Sequence, residues 1–128
     1  MACSRQVVGG SVGRLWVLWG ALTPELRSHL QNLVDKTKQA YGQIDVLVCN
    51  AGVNPFYGSM SKIPDEAFDK IMSTNVKAVH WLCQLVIPDM VDKGAGSIMV
   101  TSSTGAFIPT EVLGTYNISK LADIALVR

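Results

Sequence analysis

Two short runs of almost continuous apolar character interrupt a chain that is otherwise patterned at helical spacing. They are Ile44-Asp45-Val46-Leu47-Val48-Cys49 and Ser97-Ile98-Met99-Val100-Thr101. Runs of this length and β-branched content predict strands buried on both faces of a parallel sheet. Upstream of the first, Leu26, Leu30, Leu33, Val34 and Tyr41 fall on one helical face. That helix has an N-cap and first turn at Thr23-Pro24-Glu25 and a terminator at Gly42. Between the strands, Pro64-Asp65-Glu66 opens a helix carrying Phe68, Ile71 and Met72, which is expected to break near Ser73-Thr74-Asn75. A longer helix follows, with Val76, Val79, Leu82, Cys83, Val86, Met90 and Val91 apolar and Gly94 as its stop. Pro88 inside it predicts a kink or a lost hydrogen bond. After the second strand, Gly114 and Thr115 lead into a helix whose apolar positions are Ile118, Leu121, Ile124, Ala125 and Leu126.

The order is helix, strand, helix, helix, strand, helix. Such alternation implies right-handed crossovers, and hence an α/β unit with a parallel sheet and helices on both faces. No internal repeat or linker divides it. Residues 1–22 read as an irregular or degenerate N-terminal segment, and 23–128 as a partial domain. The last helical pattern is still running at Arg128, without a cap or a terminator.

Composition narrows the function classes. In 128 residues, 48% are hydrophobic and 16% charged, with a formal net charge of +1. That balance suits one domain with a real core and argues against disorder. Without a basic excess, nothing points to nucleic acid or an anionic membrane surface. No apolar run approaches the roughly 18 residues that a bilayer span requires. Leu15–Leu22, after Arg5 and Arg14, faintly resembles a secretory signal interrupted by Gly20. The three cysteines, Cys3, Cys49 and Cys83, have no metal-type spacing and read as free thiols in a reducing compartment. His29 reads as a solvated helix residue, and His80 as a helix residue with no motif around it.

Chemistry concentrates at the sheet edge where both strands end. Asn50-Ala51-Gly52 follows the first strand, and small residues there let a flat ligand approach the backbone. Ser102-Ser103-Thr104-Gly105 follows the second. Tyr116 and Lys120 lie four residues apart on one helix face. A tyrosine ordinarily keeps its proton until about pH 10, and a neighbouring cation favours the phenolate. The pair can therefore trade a proton with a substrate oxygen. Phe56, Tyr57, Phe107 and Val112 are pocket candidates by position.

In kind, order and spacing, Asn50-Ala51-Gly52, Asn75-Val76-Lys77-Ala78, Gly96–Ser103 and Tyr116-Asn117-Ile118-Ser119-Lys120 resemble the short-chain dehydrogenase/reductase superfamily. The run Gly52–Gly58 is similar to its carbonyl-reductase-like branch. The resemblance covers about Gln31 to Arg128. It implies a partial Rossmann-like parallel sheet, incomplete at both ends, and hydride transfer between a carbonyl and an alcohol with NADP or NAD. It further implies Tyr116 as general acid or base, Lys120 assisting it and binding the nicotinamide ribose, Ser103 polarising the substrate oxygen, and Asn75 supporting a water relay. Asn50, Ala51 and Gly52 would line the adenine side. The partner it implies is a small carbonyl or alcohol, with a family tendency to homotetramers that is doubtful for this chain.

The family's glycine turn is the weak point. If Gly9-Gly10-Ser11-Val12-Gly13 is that turn, only 36 residues separate Gly13 from Asn50. That is short by at least one βαβ unit of roughly 30 residues. If instead Ala2-Cys3-Ser4-Arg5 ends the second family strand, its Ser-Arg pair favours NADP and the glycine turn is missing. Two alternatives to an active enzyme stay open: an inactive interaction module, and the product of a broken gene. The default compartment is the cytoplasm, since no Ser-Lys-Leu-type address closes the chain.

Overall fold

The structure, a computed structural model, describes residues 26–128. The expected helix start at Thr23-Pro24-Glu25 and the glycine cluster at 9–13 lie outside them. Helix α1 (Leu26–Tyr41) leads to strand β1 (Val46–Cys49). Helices α2 (Asp65–Met72) and α3 (Ala78–Lys93) come next, then β2 (Ser97–Val100) and α4 (Gly114–Leu126). The strands pair in parallel, Leu47 opposite Ile98 and Cys49 opposite Val100. Thr101 N extends the ladder by donating to Cys49 O at 2.9 Å.

Helix boundaries follow local chemistry. Pro64 precedes α2, with Asp65 and Glu66 in the first turn where the dipole favours anions. Gly42 and Gly94 close α1 and α3 with φ of +81° and +70°, a region that disfavours any side chain. Helix α3 continues through Pro88 as an uninterrupted helical segment.

The core lies where α1 and α3 pack together on one sheet face. Leu30 and Val34 of α1 meet Val79, Leu82, Val86 and Met90 of α3, above Leu47 and Cys49. Ile98 and Val100 pack against the same cluster from β2. Trp81 sits at the α1/α3 seam with Lys77 Nζ 5.0 Å and Arg27 Cζ 5.7 Å from its ring centroid. Salt bridges join Lys38 to Asp89 and Lys93 to Asp45. At the surface such pairs contribute little.

Four expectations need correction. The strands are not buried on both faces: β1 alternates between half-buried and buried residues, and Met99 of β2 is 50% exposed. Among the described residues the sheet has two strands, so its second face finds less to pack against. The helical path does not break at Ser73-Thr74-Asn75. It widens into one π turn, Ser73–Lys77, and runs straight into α3. Val91 is exposed, one position past the buried stripe that ends at Met90.

The fourth correction concerns α4, which turns its polar side inward. Thr115, Asn117, Ser119, Lys120 and Asp123 are buried, whereas Ile118, Leu121 and Leu126 are exposed. Hydrogen bonding favours this orientation, because Ser119 and Lys120 find partners on the π turn and at the end of β2.

Among the described residues, no helix is long and apolar enough to cross a membrane, and no group of His, Cys, Asp or Glu is placed to hold a metal ion. Cys49 is buried and Cys83 half-buried, both free. Burial, reinforced by Cys83 and Asp123 nearby, pushes the Cys49 thiol up to about 12. Because the thiolate is the nucleophile, native Cys49 should resist alkylation at neutral pH. Iodoacetamide labelling read by mass spectrometry should modify it only after denaturation; labelling at the rate of an unfolded thiol would contradict the burial.

Candidate active site

The site assembles at the C-terminal edge of the sheet, where the loop after β1, the π turn and α4 converge. Asn75 is the knot. Its side chain is fully buried. Oδ1 accepts from Val53 N at 2.8 Å, while Nδ2 donates to Val53 O at 3.0 Å and to Ser119 Oγ at 2.9 Å. Ser119 Oγ in turn donates to Tyr116 O at 2.7 Å. A continuous chain of hydrogen bonds therefore runs from the loop after β1 to the helix turn that carries Tyr116. The π turn supplies the geometry, since one wide turn lets a mid-helix side chain leave the regular register and point into the core.

Lys120 is 4% exposed, yet its ammonium is well partnered. Nζ donates to Thr101 O and to Asp123 Oδ2, both at 2.8 Å. Ser102 Oγ donates to Lys120 O at 2.7 Å, tying the same residue's backbone to the segment after β2. Nζ stands 6.0 Å from the centroid of the Tyr116 ring. Burial raises the Asp123 carboxyl above the ordinary carboxylate range, with the hydrogen bond and charge of Lys120 pulling the other way.

Gly52 lies beside this group. A Cβ there would come 3.5 Å from Lys120 Nζ and 3.7 Å from Asn75 Oδ1, an ordinary contact that would nevertheless occupy the space next to the ammonium. Asn50 is exposed at the same edge, and Ala51 and Gly52 are half-buried. Ser103 stands just past β2. Its Oγ accepts from Gly105 N at 3.2 Å and caps the short 3₁₀ turn Thr104–Ala106. As an acceptor in that bond, the hydroxyl keeps its own proton free to donate elsewhere.

The structure thus brings Gly52, Asn75, Tyr116 and Lys120 into one cluster. Ser103 is next in chain to Ser102, which holds Lys120, but its hydrogen bond is to its own loop. Of the pocket candidates, Phe56 and Val112 line a shallow cavity with Tyr116, whereas Tyr57 and Phe107 are largely exposed. Sequence reasoning missed Asp123 and Ser119. A signal for Asp123 was available: a carboxylate three residues after Lys120 lies on the same helix face.

A parallel α/β unit with a tyrosine and lysine on a helix beside the strand ends is a Rossmann-type arrangement. The short chain dehydrogenase family model matches residues 17–128, and the chain belongs to that family. It is 42% identical over 98 residues to dehydrogenase/reductase SDR family member 4 of Bos taurus, covering 77% of this chain and 35% of that protein. The Homo sapiens protein of the same name is 40% identical over the same span, with the same coverage. The chain therefore spans about a third of the length of these curated relatives. Among solved structures, NAD⁺-bound xylitol dehydrogenase superposes with a TM-score of 0.74 at 26% identity, over 78% of this chain and 38% of that one. A metagenomic short-chain oxidoreductase in complex with NADP gives 0.74 at 28% identity, over 78% and 45%. Levodione reductase shares the fold with a TM-score of 0.76 at 24% identity, over 80% and 40%.

Proposed function

We propose that this chain carries the proton-transfer half of an NAD(P)-dependent oxidoreductase that interconverts a small carbonyl compound and an alcohol. The observation that carries the reading is the buried Lys120 ammonium held 6.0 Å from the Tyr116 ring, in a cluster braced by Asn75. Tyr116 donates its phenolic proton to the substrate oxygen in reduction and takes one back in oxidation. Lys120 supplies positive charge beside the phenol and hydrogen bonds for a ribose. Ser103, whose hydroxyl proton is free, holds the substrate oxygen. Asn75 fixes the loop after β1 against α4 and supports a water next to Lys120, through the second lone pair of Oδ1.

A dinucleotide suits the residues present. Asn50, Ala51 and Gly52 leave the strand edge low, and the absent Cβ of Gly52 keeps the space beside Lys120 and Asn75 clear. When bound, the cofactor supplies or accepts the hydride. The pyrophosphate seat would fall on the glycine cluster at 9–13, outside the described residues. On the alternative reading, in which Ser4-Arg5 ends the second family strand and favours NADP, that glycine turn is missing; solved structures similar to this chain are bound to NAD⁺ and to NADP. The test is saturable NADPH or NADH binding by the purified chain, followed by dicarbonyl reduction monitored by cofactor absorbance. Absence of both would leave the catalytic side chains without a working enzyme.

One observation favours a second reading, an interaction module or subunit surface. Ile118, Leu121 and Leu126 are exposed along α4, with Phe107 and Ile108 exposed just upstream. An apolar surface of this kind marks an interaction site. We propose that a second copy covers it, as the family's tendency to tetramers suggests. Sedimentation should show self-association that Leu121→Glu weakens; a monomer at all concentrations would reject this reading.

A further inference from the structure

We infer that Asp123 is a positioning residue that anchors the Lys120 ammonium at the sheet edge. The inference rests on the proposed role of Lys120 and deepens it, because nothing in the proton-transfer reading calls for a buried acid one turn beyond the lysine.

Three observations carry it. The first is geometry: Lys120 Nζ is held at 2.8 Å by Asp123 Oδ2 and at 2.8 Å by the Thr101 carbonyl, which gives it one charged and one neutral anchor. The second is burial. The two side chains are 5% and 1% exposed, so solvent does not compete for either. A buried ammonium with a carbonyl as its sole anchor would face a large desolvation cost and would tend to swing toward water. The third is the unmatched oxygen. Among the described residues Asp123 Oδ1 has no hydrogen-bond partner, so the carboxylate does not complete a wider network there. Its polar contact among them is Lys120. A side chain buried at the cost of one orphaned acceptor, with a single partner, is explained by what it does for that partner.

The consequence for the site is preorganisation. With Asp123 in place, the ammonium occupies one position beside Gly52 and Asn75 before any dinucleotide arrives. Ribose hydroxyls then meet a fixed donor, and the phenol of Tyr116 experiences a fixed charge. Without Asp123, Lys120 would sample other rotamers, and ordering it would fall to the ligand.

The test reads Lys120 directly and does not require turnover. In the ¹⁵N-lysine-labelled full chain, ammonium protons of exposed lysines exchange with water too quickly to be seen at neutral pH. One protected ammonium signal is expected, absent in Lys120→Met. Failure to find it in the unaltered chain overturns the inference. Asp123→Asn keeps the shape and removes the charge. Proton exchange at Lys120 should then accelerate about tenfold or more, as the loss of a charge-assisted hydrogen bond implies. Unchanged exchange would show that Thr101 alone holds the ammonium, and would also overturn it. If Asp123→Asn folds poorly, the double variant Lys120→Met with Asp123→Leu should recover the fold, since removing both members of a buried pair relieves the unpaired charge. A double variant no better than the single one would count against a dedicated pair. These outcomes are separate from the fate of the enzyme reading: a protected Lys120 ammonium in a chain that binds no dinucleotide would keep the anchor and sink the proposed activity.

Discussion

Tyr116→Phe should reduce carbonyl turnover by about 10²- to 10⁴-fold, the usual contribution of a positioned general acid, while leaving the fold intact. The substitution removes one oxygen from a half-buried ring, and the ring's contact with Lys120 survives it. The backbone carbonyl of Tyr116 still accepts from Ser119 Oγ, so the hydrogen-bonded chain to Asn75 is untouched. A transition-state proton donor is lost with little change in ground-state binding. The cofactor dissociation constant should therefore stay within about twofold and the loss should fall on kcat. The check is parallel measurement of NADPH binding by fluorescence and steady-state reduction of a dicarbonyl. Turnover in Tyr116→Phe equal to that of the unaltered chain would remove Tyr116 from the mechanism and leave the buried lysine as a structural cation.

Much of this arrangement was legible in the sequence, for identifiable reasons. The two apolar runs and the helical stripes between them announced an α/β unit, because strand and helix periods differ and each stripe had to bury against something. Gly42 and Gly94 end their helices where expected, since both ends require positive φ. The spacing of Tyr116 and Lys120 placed them on one face through helix geometry alone. The orientation of α4 was not legible. Periodicity favours burying Ile118 and Leu121, but the partners of Ser119 and Lys120, on Asn75 and Thr101, come from segments distant in sequence, and these hydrogen bonds outweigh the apolar stripe. Nor could periodicity distinguish a break from the π turn at Ser73–Lys77, because the difference is one residue per turn within an otherwise helical path. The exposed face of β2 reflects how few strands flank it, which apolar content cannot report.

Asn75→Leu is expected to be strongly destabilising. The side chains share branching and heavy-atom count, so the cost is chiefly polar, with some overpacking because two methyls are bulkier than a planar amide. Three groups lose their partner at once: Val53 N–H, Val53 C=O and the Ser119 hydroxyl. Ser119 retains its donation to Tyr116 O, but the two Val53 backbone groups are left part-buried without an alternative in the structure. At about 1–3 kcal/mol for each stranded group, the expected loss is about 3 kcal/mol, a large fraction of a small domain's stability of about 5–15 kcal/mol. Urea denaturation followed by circular dichroism should show a lowered midpoint with an unchanged slope. A loss well under about 1 kcal/mol would mean that water replaces Asn75 and that the clamp is dispensable. Asn75→Asp separates the donor from the acceptor function of the amide. Its oxygen can still accept from Val53 N, but an ionised carboxylate would face the Val53 carbonyl and the Ser119 hydroxyl oxygen in place of the Nδ2 donor. Protonation restores one donor, and full burial with two facing oxygens favours the neutral acid against the opposing pull of the nearby Lys120 ammonium, so the folded state should hold that proton more tightly than the unfolded chain. A carboxyl raised in this way contributes stability below its unfolded value of about 3.9 that is lost as pH climbs through the folded one. Asn75→Asp should therefore weaken relative to the unaltered chain as pH rises from 4 to 7, whereas Asn75→Leu should show the same deficit at both. Identical pH behaviour of the two variants would locate the clamp's energy in Oδ1 and the Val53 amide, and would leave the Nδ2 contacts as geometry without consequence.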